Sequence, residues 1–271
     1  MRLARQIADA GIPYVAFGGG EPLGVAHCWD IFDVLAAAGV AIKLETDGSR
    51  IDDRAADRLA ALAVQCVQIS VDGARAATHE RVRPGSSFAA AVGAIDRLAK
   101  RGLSPQLVFV PTRFNLQEIV AAYDLAASLG CGTFVTGPLM RLGRAAQNWE
   151  RIACSETEWE QGVAALKAHA LVHASGMSLS IYPWDIVTEL ETRLQHPQAM
   201  LLVVPNGKVK LLNALPFAPA DLRRDSLEQA WIAYREAWLT DEVRDFVLAC
   251  RSQPELLRHA NETWPLGTRA T

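Results

Sequence analysis

The chain has no long apolar run and no surplus of basic residues. A helix needs about 18–20 consecutive apolar residues to cross a bilayer, and no such run occurs in the 271 residues, so no membrane-spanning segment is predicted. The 27 Lys and Arg residues are outnumbered by 30 Asp and Glu, which gives a net charge of −3. This balance provides no electrostatic reason to expect a nucleic acid. We therefore expect neither a membrane nor a nucleic acid as partner.

Cysteine is also scarce and scattered. The five cysteines are far apart in sequence, at Cys28, Cys66, Cys131, Cys154 and Cys250. This spacing does not resemble a disulfide framework and predicts reduced thiols in the cytoplasm. The six histidines show no metal-ligand spacing, so no metal-binding residue is predicted. The N-terminal residues lack an apolar core of signal-peptide length.

Alternating strand and helix patterns indicate the fold class. Half of the residues are hydrophobic, which is enough for a sizeable core. Apolar runs that end in small or polar residues recur at 14–17, 42–46, 67–71, 107–110 and 133–136. Helical periodicity separates these runs, and the alternation is expected to end beyond residue 140. Such alternation predicts an α/β fold with a parallel sheet and right-handed crossovers.

The first strand ends in the most informative stretch of the chain. Its apolar residues stop at three glycines, an acid and a proline. Gly19 and Gly20 allow a sharp turn or the close approach of a ligand. Pro22 then fixes Glu21 at the carboxyl end of the strand, where parallel α/β folds place their ligands. The alternative is a purely structural turn with a solvated acid.

Taken together, the strand ends resemble those of a known family. Thr46-Asp47-Gly48 and Ser70-Val71-Asp72-Gly73, with His79 to Arg83 and Ser87-Phe88, are similar to the core of radical S-adenosylmethionine (SAM) enzymes. The resemblance is strongest to the subgroup with a C-terminal SPASM or "twitch" extension, the peptide maturases of the PQQ and mycofactocin type. It runs from about residue 12 to about residue 248, and 205–209 resembles the hairpin that opens the extension.

The resemblance implies an architecture. We expect a partial (β/α)6 TIM-like barrel with parallel strands, without the family's first strand, and a small α+β cap with a β-hairpin. The expected domains are a partial radical SAM core at 1–145, a helical linker with a degenerate SPASM-like region at 146–264, and a tail at 265–271. Further predictions are two capping boxes, one formed by Asn115 and Glu118 and the other by Ser155 and Glu158.

The resemblance also implies a SAM site. Gly19, Gly20, Glu21 and Pro22 match the loop that binds the amino group of SAM, and Thr46 matches a position near cofactor and substrate. Ser70 and Asp72 match contacts to the carboxylate or ribose, with an Asx turn at Asp72 as the alternative. Arg83 matches an arginine that pairs with the SAM carboxylate, although it equally fits a surface position. Leu139 and Met140 begin a segment similar to the one that lies against the adenine.

One motif of the family is missing from these residues. The family holds a [4Fe–4S] cluster with three cysteines spaced C-x-x-x-C-x-x-C, and that motif would fall ahead of Met1. A [4Fe–4S] cluster is therefore expected only if an upstream segment carries the motif. Where SPASM domains place a cluster cysteine after the hairpin, this chain has Lys210-Leu211-Leu212-Asn213. No auxiliary cluster is expected there.

Three functional interpretations follow, and no catalytic residue is assigned in the first two. The first is a radical SAM protein that modifies a peptide or cofactor precursor, truncated or degenerate in this chain, with a peptide or small-molecule substrate and an electron donor if it is catalytic. The second is a non-catalytic relative that binds a peptide or a partner protein. The third is an unrelated TIM-barrel enzyme with Glu21 and Asp72 as acid and base.

Overall fold

The computed structural model describes residues 1–173 and 176–267. Their strands are β1 (Tyr14–Phe17), β2 (Ala41–Thr46), β3 (Cys66–Ser70), β4 (Gln106–Phe109), β5 (Thr133–Thr136), β6 (Ser178–Ile181), β7 (Leu202–Val203), β8 (Lys208–Lys210) and β9 (Ala220–Asp221). Their helices are α1 (Arg2–Asp9), α2 (Cys28–Ala37), α3 (Asp53–Ala61), α4 (Ala76–Val82), α5 (Phe88–Ala99), α6 (Ile119–Ser128), α7 (Gly143–Gln147), α8 (Trp149–Ile152), α9 (Glu156–Val172), α10 (Ile186–Gln195), α11 (Leu227–Ala237) and α12 (Asp241–Ser252). Short 3-10 segments lie at Pro22–Gly24, Leu116–Glu118 and Pro254–Asn261.

The described residues fall into two compact units. The first comprises Met1–Pro138 and Ala153–Pro183, and the second comprises 139–152 and 184–267 of the described chain. No described helix is both long and apolar enough to traverse a bilayer. The assignment of 146–264 to a SPASM-like region stays a prediction. The predicted tail, 265–271, lies outside the described residues from 268 onward.

The first unit contains a parallel sheet whose strands follow chain order, β1 to β6. The five predicted strands and their parallel order are confirmed. The expectation that alternation ends beyond residue 140 is wrong, because α9 is followed by β6, which pairs with β5. The sequence Ser178-Leu179-Ser180-Ile181 has only two apolar residues and is too short for periodicity to reveal a strand.

One face of this sheet forms the main core. Alternate strand residues point toward the helices, and they are fully buried: Ile42, Leu44, Val67, Ile69, Leu107, Phe109 and Phe134. The intervening residues are half-buried or exposed, and five of them form one polar row across β2 to β6: Glu45, Gln68, Gln106, Thr133 and Ser178. The helix-facing side therefore supplies stability, while the polar row lies on the other face of the sheet.

Helix starts in the first unit follow the sequence in most cases. Asp52 caps α3 by accepting a hydrogen bond from the Ala55 amide at 2.8 Å. Ser155 and Glu158 form the predicted capping box at α9. The capping box predicted for Asn115 and Glu118 is wrong, since neither side chain caps a helix. Both are buried and bind the segment that follows β3, as described below.

The second unit has its own small sheet and core. β7 and β8 form the predicted antiparallel hairpin, and β9 adds a third strand that the sequence did not reveal. Asn206 stabilises the turn by accepting from the Lys208 amide at 3.1 Å. Trp238 is buried in this core, and Trp231 is partly buried against it. The two tryptophans are therefore explained by packing within the unit.

Candidate cofactor-binding site

Glu21 connects the carboxyl ends of β1 and β2. One carboxylate oxygen accepts from the Thr46 hydroxyl at 2.7 Å and from the Asp47 amide at 3.1 Å. The other oxygen accepts from the Leu23 amide at 3.1 Å, so Glu21 also caps the short 3-10 turn that Pro22 begins. The predicted residues Glu21 and Thr46 are thus in direct contact. The half-buried acid is held by two strand ends rather than by solvent.

The glycines before Glu21 leave open space beside it. Gly19 has φ +105°, a conformation that favours glycine. A Cβ atom added at Gly19 or Gly20 would meet no atom within 4 Å. Both residues are exposed, so their backbone carbonyls remain accessible to a ligand.

Glu21 and Asp47 have opposite pKa shifts. Burial raises the pKa of Glu21, and the charge of Asp47 adds to this rise against three opposing hydrogen bonds. At Asp47 burial acts in the same sense, but hydrogen bonds with Ser49 and Glu21 and the charge of Arg83 lower its pKa overall. Asp47 is therefore the more acidic member of the pair. The charge of Arg83, which is paired with Asp72 after β3, thus acts on the residue that follows β2.

Gly48 fits tightly behind this site. Its amide donates to the Thr46 hydroxyl at 3.0 Å, and its φ is +81°. A Cβ atom would lie 3.0 Å from the Ala94 side chain and 3.1 Å from the Ala91 backbone. There is consequently no room for a side chain at this turn.

Replacing Gly48 with alanine is expected to destabilise the protein by about 2–4 kcal/mol, because strain at positive φ and overpacking add together. Gly85→Ala is the matched control. Gly85 also has positive φ (+88°), but a Cβ atom there meets nothing within 4 Å. Urea unfolding should therefore show a loss of only about 1 kcal/mol for Gly85→Ala. Equal losses in the two variants would contradict the crowding at Gly48.

Asp72 lies two residues beyond β3 and is buried. One oxygen accepts from the Val110 amide at 2.7 Å, and the other accepts from the Arg83 guanidinium at 3.0 Å. The Asx turn considered for Asp72 is instead formed by Asp47, which accepts from the Ser49 amide at 2.8 Å. Asp72 thus joins β3 to the residue after β4 and holds Arg83, whose side chain is 34% exposed.

Two residues that the sequence suggested as a helix cap hold the segment after β3. The Asn115 amide group donates to the carbonyls of Asp72 (3.1 Å) and Val110 (3.0 Å). Glu118 accepts from the Ala74 amide at 2.9 Å, from the Thr78 hydroxyl at 2.7 Å and from the Arg75 guanidinium. These bonds lower the pKa of Glu118 although burial acts against them. No local sequence signal distinguishes this arrangement from a cap.

The other predicted site residues are Ser70, Leu139 and Met140. Ser70 ends β3 and is half-buried, and its hydroxyl has no hydrogen-bond partner within 1–173 and 176–267. Leu139 and Met140 belong to the second unit, where Met140 packs against the core. Their assignment to the adenine, like the assignment of every SAM contact, stays a prediction.

The cysteine positions do not fit a [4Fe–4S] cluster. Such a cluster is held by cysteine thiolates, whereas no group of three potential metal ligands occurs among the residues that the structure describes. Burial raises the pKa of Cys28 and Cys250 to about 11 and that of Cys131 to about 12. Cys66 and Cys154 are half-buried, and burial raises their pKa as well. These thiols resist ionisation and are not suited to hold a cluster.

Comparison with known proteins identifies the first part of the chain. The family model described as "Radical SAM superfamily" matches residues 1–126. The chain carries a Radical SAM domain. It is 39% identical over 140 residues to "Mycofactocin maturase MftC" of Mycobacterium ulcerans (strain Agy99), covering 51% of this chain and 38% of that protein. It is 26% identical over 217 residues to "PqqA peptide cyclase" of Gluconobacter oxydans (strain 621H), covering 79% and 60% respectively.

The resemblance to radical SAM peptide maturases is thus confirmed, and the chain spans about two fifths of the length of that mycobacterial relative. Among solved structures, Streptococcus suis SuiB bound to precursor peptide SuiA superimposes with a TM-score of 0.72 at 12% identity. The match covers 90% of this chain and 58% of SuiB. SuiB bound to S-adenosylmethionine gives a TM-score of 0.70 at 13% identity, over 89% of this chain and 58% of SuiB. At this identity the superposition confirms the fold class of the radical SAM domain.

Proposed function

We propose that the strand ends of this radical SAM domain bind SAM by the two charged groups of its methionine part. Glu21 accepts the ammonium and Arg83 receives the carboxylate. One observation carries the proposal: a half-buried acid beside open glycine backbone and a partly exposed guanidinium both interact with Asp47, the acid by a hydrogen bond and the guanidinium through its charge. An amino-acid zwitterion needs this combination of an acceptor and a planar donor fork.

Both groups retain capacity for a ligand. An ionised carboxylate offers about four acceptor sites, and three of those on Glu21 are taken by Thr46, Asp47 and Leu23. Among the residues that the structure describes, Arg83 donates one side-chain hydrogen bond, to Asp72. An ammonium at Glu21 would also favour its ionised form, since an opposite charge lowers the pKa of a carboxyl.

In the proposed function, SAM supplies the reactive group and the protein binds it. When bound, SAM would supply the chemistry known for this family: one electron from an external donor would cleave it to methionine and a 5′-deoxyadenosyl radical, and that radical would abstract hydrogen from the substrate. The share of the residues described above is to bind and orient SAM. The similarity to MftC and PqqA peptide cyclase, together with the fold shared with a peptide-bound neighbour, supports a peptide precursor as substrate. A cytoplasmic location and an external electron donor complete the proposal.

Calorimetric titration with SAM tests the site. We expect the chain to bind SAM and Glu21→Gln to weaken binding at least tenfold, which is about 1.4 kcal/mol. Glutamine removes the negative charge that attracts the ammonium and replaces one of the two acceptor oxygens with an NH2 donor. Glu160→Gln serves as the control, because Glu160 lies exposed on α9 in the same unit. A wild-type chain that does not bind SAM at millimolar concentration overturns the proposal.

A second candidate function, a non-catalytic relative that binds a peptide or a partner protein, is favoured by the scattered, poorly ionising cysteines. Iron and sulfide content of a chain extended upstream of Met1, measured after anaerobic reconstitution, separates the two. Four irons per chain would support the catalytic candidate. SAM binding without iron would support the second.

A further inference from the structure

His79 is a buried histidine on α4 with both ring nitrogens in use. Its side chain is fully inaccessible and packs against Phe88, with the ring centroids 5.8 Å apart. Nδ1 accepts from the Asp72 amide at 3.1 Å. Nε2 lies 3.0 Å from the Ser86 hydroxyl oxygen. The ring therefore bridges the residue at which the segment 72–86 leaves the sheet and the residue at which it reaches α5.

This geometry determines the tautomer. Nδ1 faces an N–H donor and must carry a lone pair, so the proton of the neutral ring is on Nε2 and is donated to Ser86. The surroundings keep the ring neutral, since burial, the largest cause, lowers its pKa. The charge of Arg83 acts in the same direction, while Asp72, Glu80 and Asp47 oppose it.

The backbone of His79 adds a third connection. Its carbonyl accepts from the Arg83 amide at 2.8 Å, and its own amide lies so close to Gly73 that a Cβ atom there would be 2.7 Å away. Asp72 and Arg83 are thus fixed by the same residue, one through the ring and the other through the carbonyl. Neither contact leaves His79 free to touch a ligand.

We propose that His79 is the positioning residue of the SAM site: its neutral, Nε2-protonated ring fixes the Asp72–Arg83 pair so that the guanidinium is oriented before the carboxylate of SAM arrives. The inference rests on the proposed function. Preorganisation of a donor fork by a neighbouring hydrogen bond lowers the ordering cost of binding. A protonated ring would set two donors, Nδ1–H and the Asp72 amide, against each other and would displace the pair.

Two measurements test the inference: the tautomer of the His79 ring and the affinity of the chain for SAM. Long-range 15N NMR of the whole chain should show His79 as the Nε2–H tautomer, and calorimetry should show SAM affinity falling below the pH at which this signal titrates. In His79→Asn the side-chain oxygen can still accept from Asp72 but the link to Ser86 is lost, and in Ser86→Ala the same link is lost from the other side. We expect each variant to bind SAM about five- to tenfold more weakly, with an unfolding temperature within a few degrees of wild type.

His173→Asn is the control, since His173 is exposed on the same unit. An Nδ1–H tautomer at His79 overturns the inference, as does wild-type affinity in both His79→Asn and Ser86→Ala. Those results leave SAM binding by the wild type intact. A wild-type chain that does not bind SAM instead overturns the proposed function, and the inference with it.

Discussion

Replacing Asp72 with alanine is expected to destabilise the sheet-bearing unit by about 2–4 kcal/mol and to abolish measurable SAM binding. The stability loss arises because the Val110 amide, now bonded at 2.7 Å, would be left without an acceptor next to the sheet. The binding loss arises because Arg83 would lose the carboxylate that orients it. Urea unfolding measures the first effect, and calorimetric titration with SAM measures the second.

Two further variants separate the roles of Asp72. Asp72→Asn keeps an oxygen that accepts from the Val110 amide, so most of the stability lost in Asp72→Ala should be recovered. It leaves Arg83 without its counter-charge, so SAM binding should remain much weaker than in the wild type. Asp96→Ala removes a partly exposed acid of α5 that is paired with Lys100, and it should change stability by less than about 1 kcal/mol. If Asp72→Ala were as stable as Asp96→Ala, the bond to Val110 would have no energetic role.

Replacing Lys210 with methionine is expected to stabilise the protein at pH 7 by about 1–2 kcal/mol. Lys210 is buried in β8, donates to the Ala260 carbonyl, and has its pKa lowered by burial from 10.5 to about 8. The difference corresponds to roughly 3 kcal/mol of penalty for the charged form. Loss of the hydrogen bond to Ala260 offsets about 1 kcal/mol of the gain.

The free energy of unfolding should also depend on pH because of Lys210. Between pH 8 and 10.5 the folded chain has released the Lys210 proton while the unfolded chain retains it. The free energy of unfolding of the wild type should therefore rise with pH through this window. Lys210→Met should lack the rise, whereas Lys208→Met, a change two residues away on the same strand, should keep it. A flat wild-type profile between pH 8 and 10.5 would contradict a buried, weakly basic Lys210.

Local sequence signals predicted most of the fold. Apolar runs gave the five strands, and because consecutive parallel strands joined by helices tend to be neighbours, their order followed. Ser155 with Glu158 gave a helix start from four residues. The short strands β6 and β9 were missed because two to four residues carry too little periodicity. Asn115 and Glu118 have the same local sequence pattern as a true capping box. Their side chains bind residues distant in sequence instead, and a local pattern does not reveal such partners.

The site was predictable in part. Strand ends that carry glycine and acid pointed to Glu21, and the parallel register placed it against Thr46. The partners of Asp72 were not predictable, since the Val110 amide and the Arg83 side chain depend on how separate loops pack. His79 has the same limitation: a histidine within a short helix carries no signal for the tautomer that its surroundings impose.

The long-range hydrogen bonds that hold the segment after β3 also constrain the order in which the chain folds. Asp72, Ala74 and Arg75 are held by groups 38 to 44 positions later, on Val110, Asn115 and Glu118. Each contact closes a long loop. The conformational entropy lost on closing that loop opposes folding, and the bond stabilises the fold only after the loop has closed. The end of β3 therefore takes its final form only once β4 has paired and the turn before α6 has docked. A nascent chain that has emerged only as far as α5 would contain the glycine-rich turn and Glu21, but not an ordered Asp72–Arg83 pair.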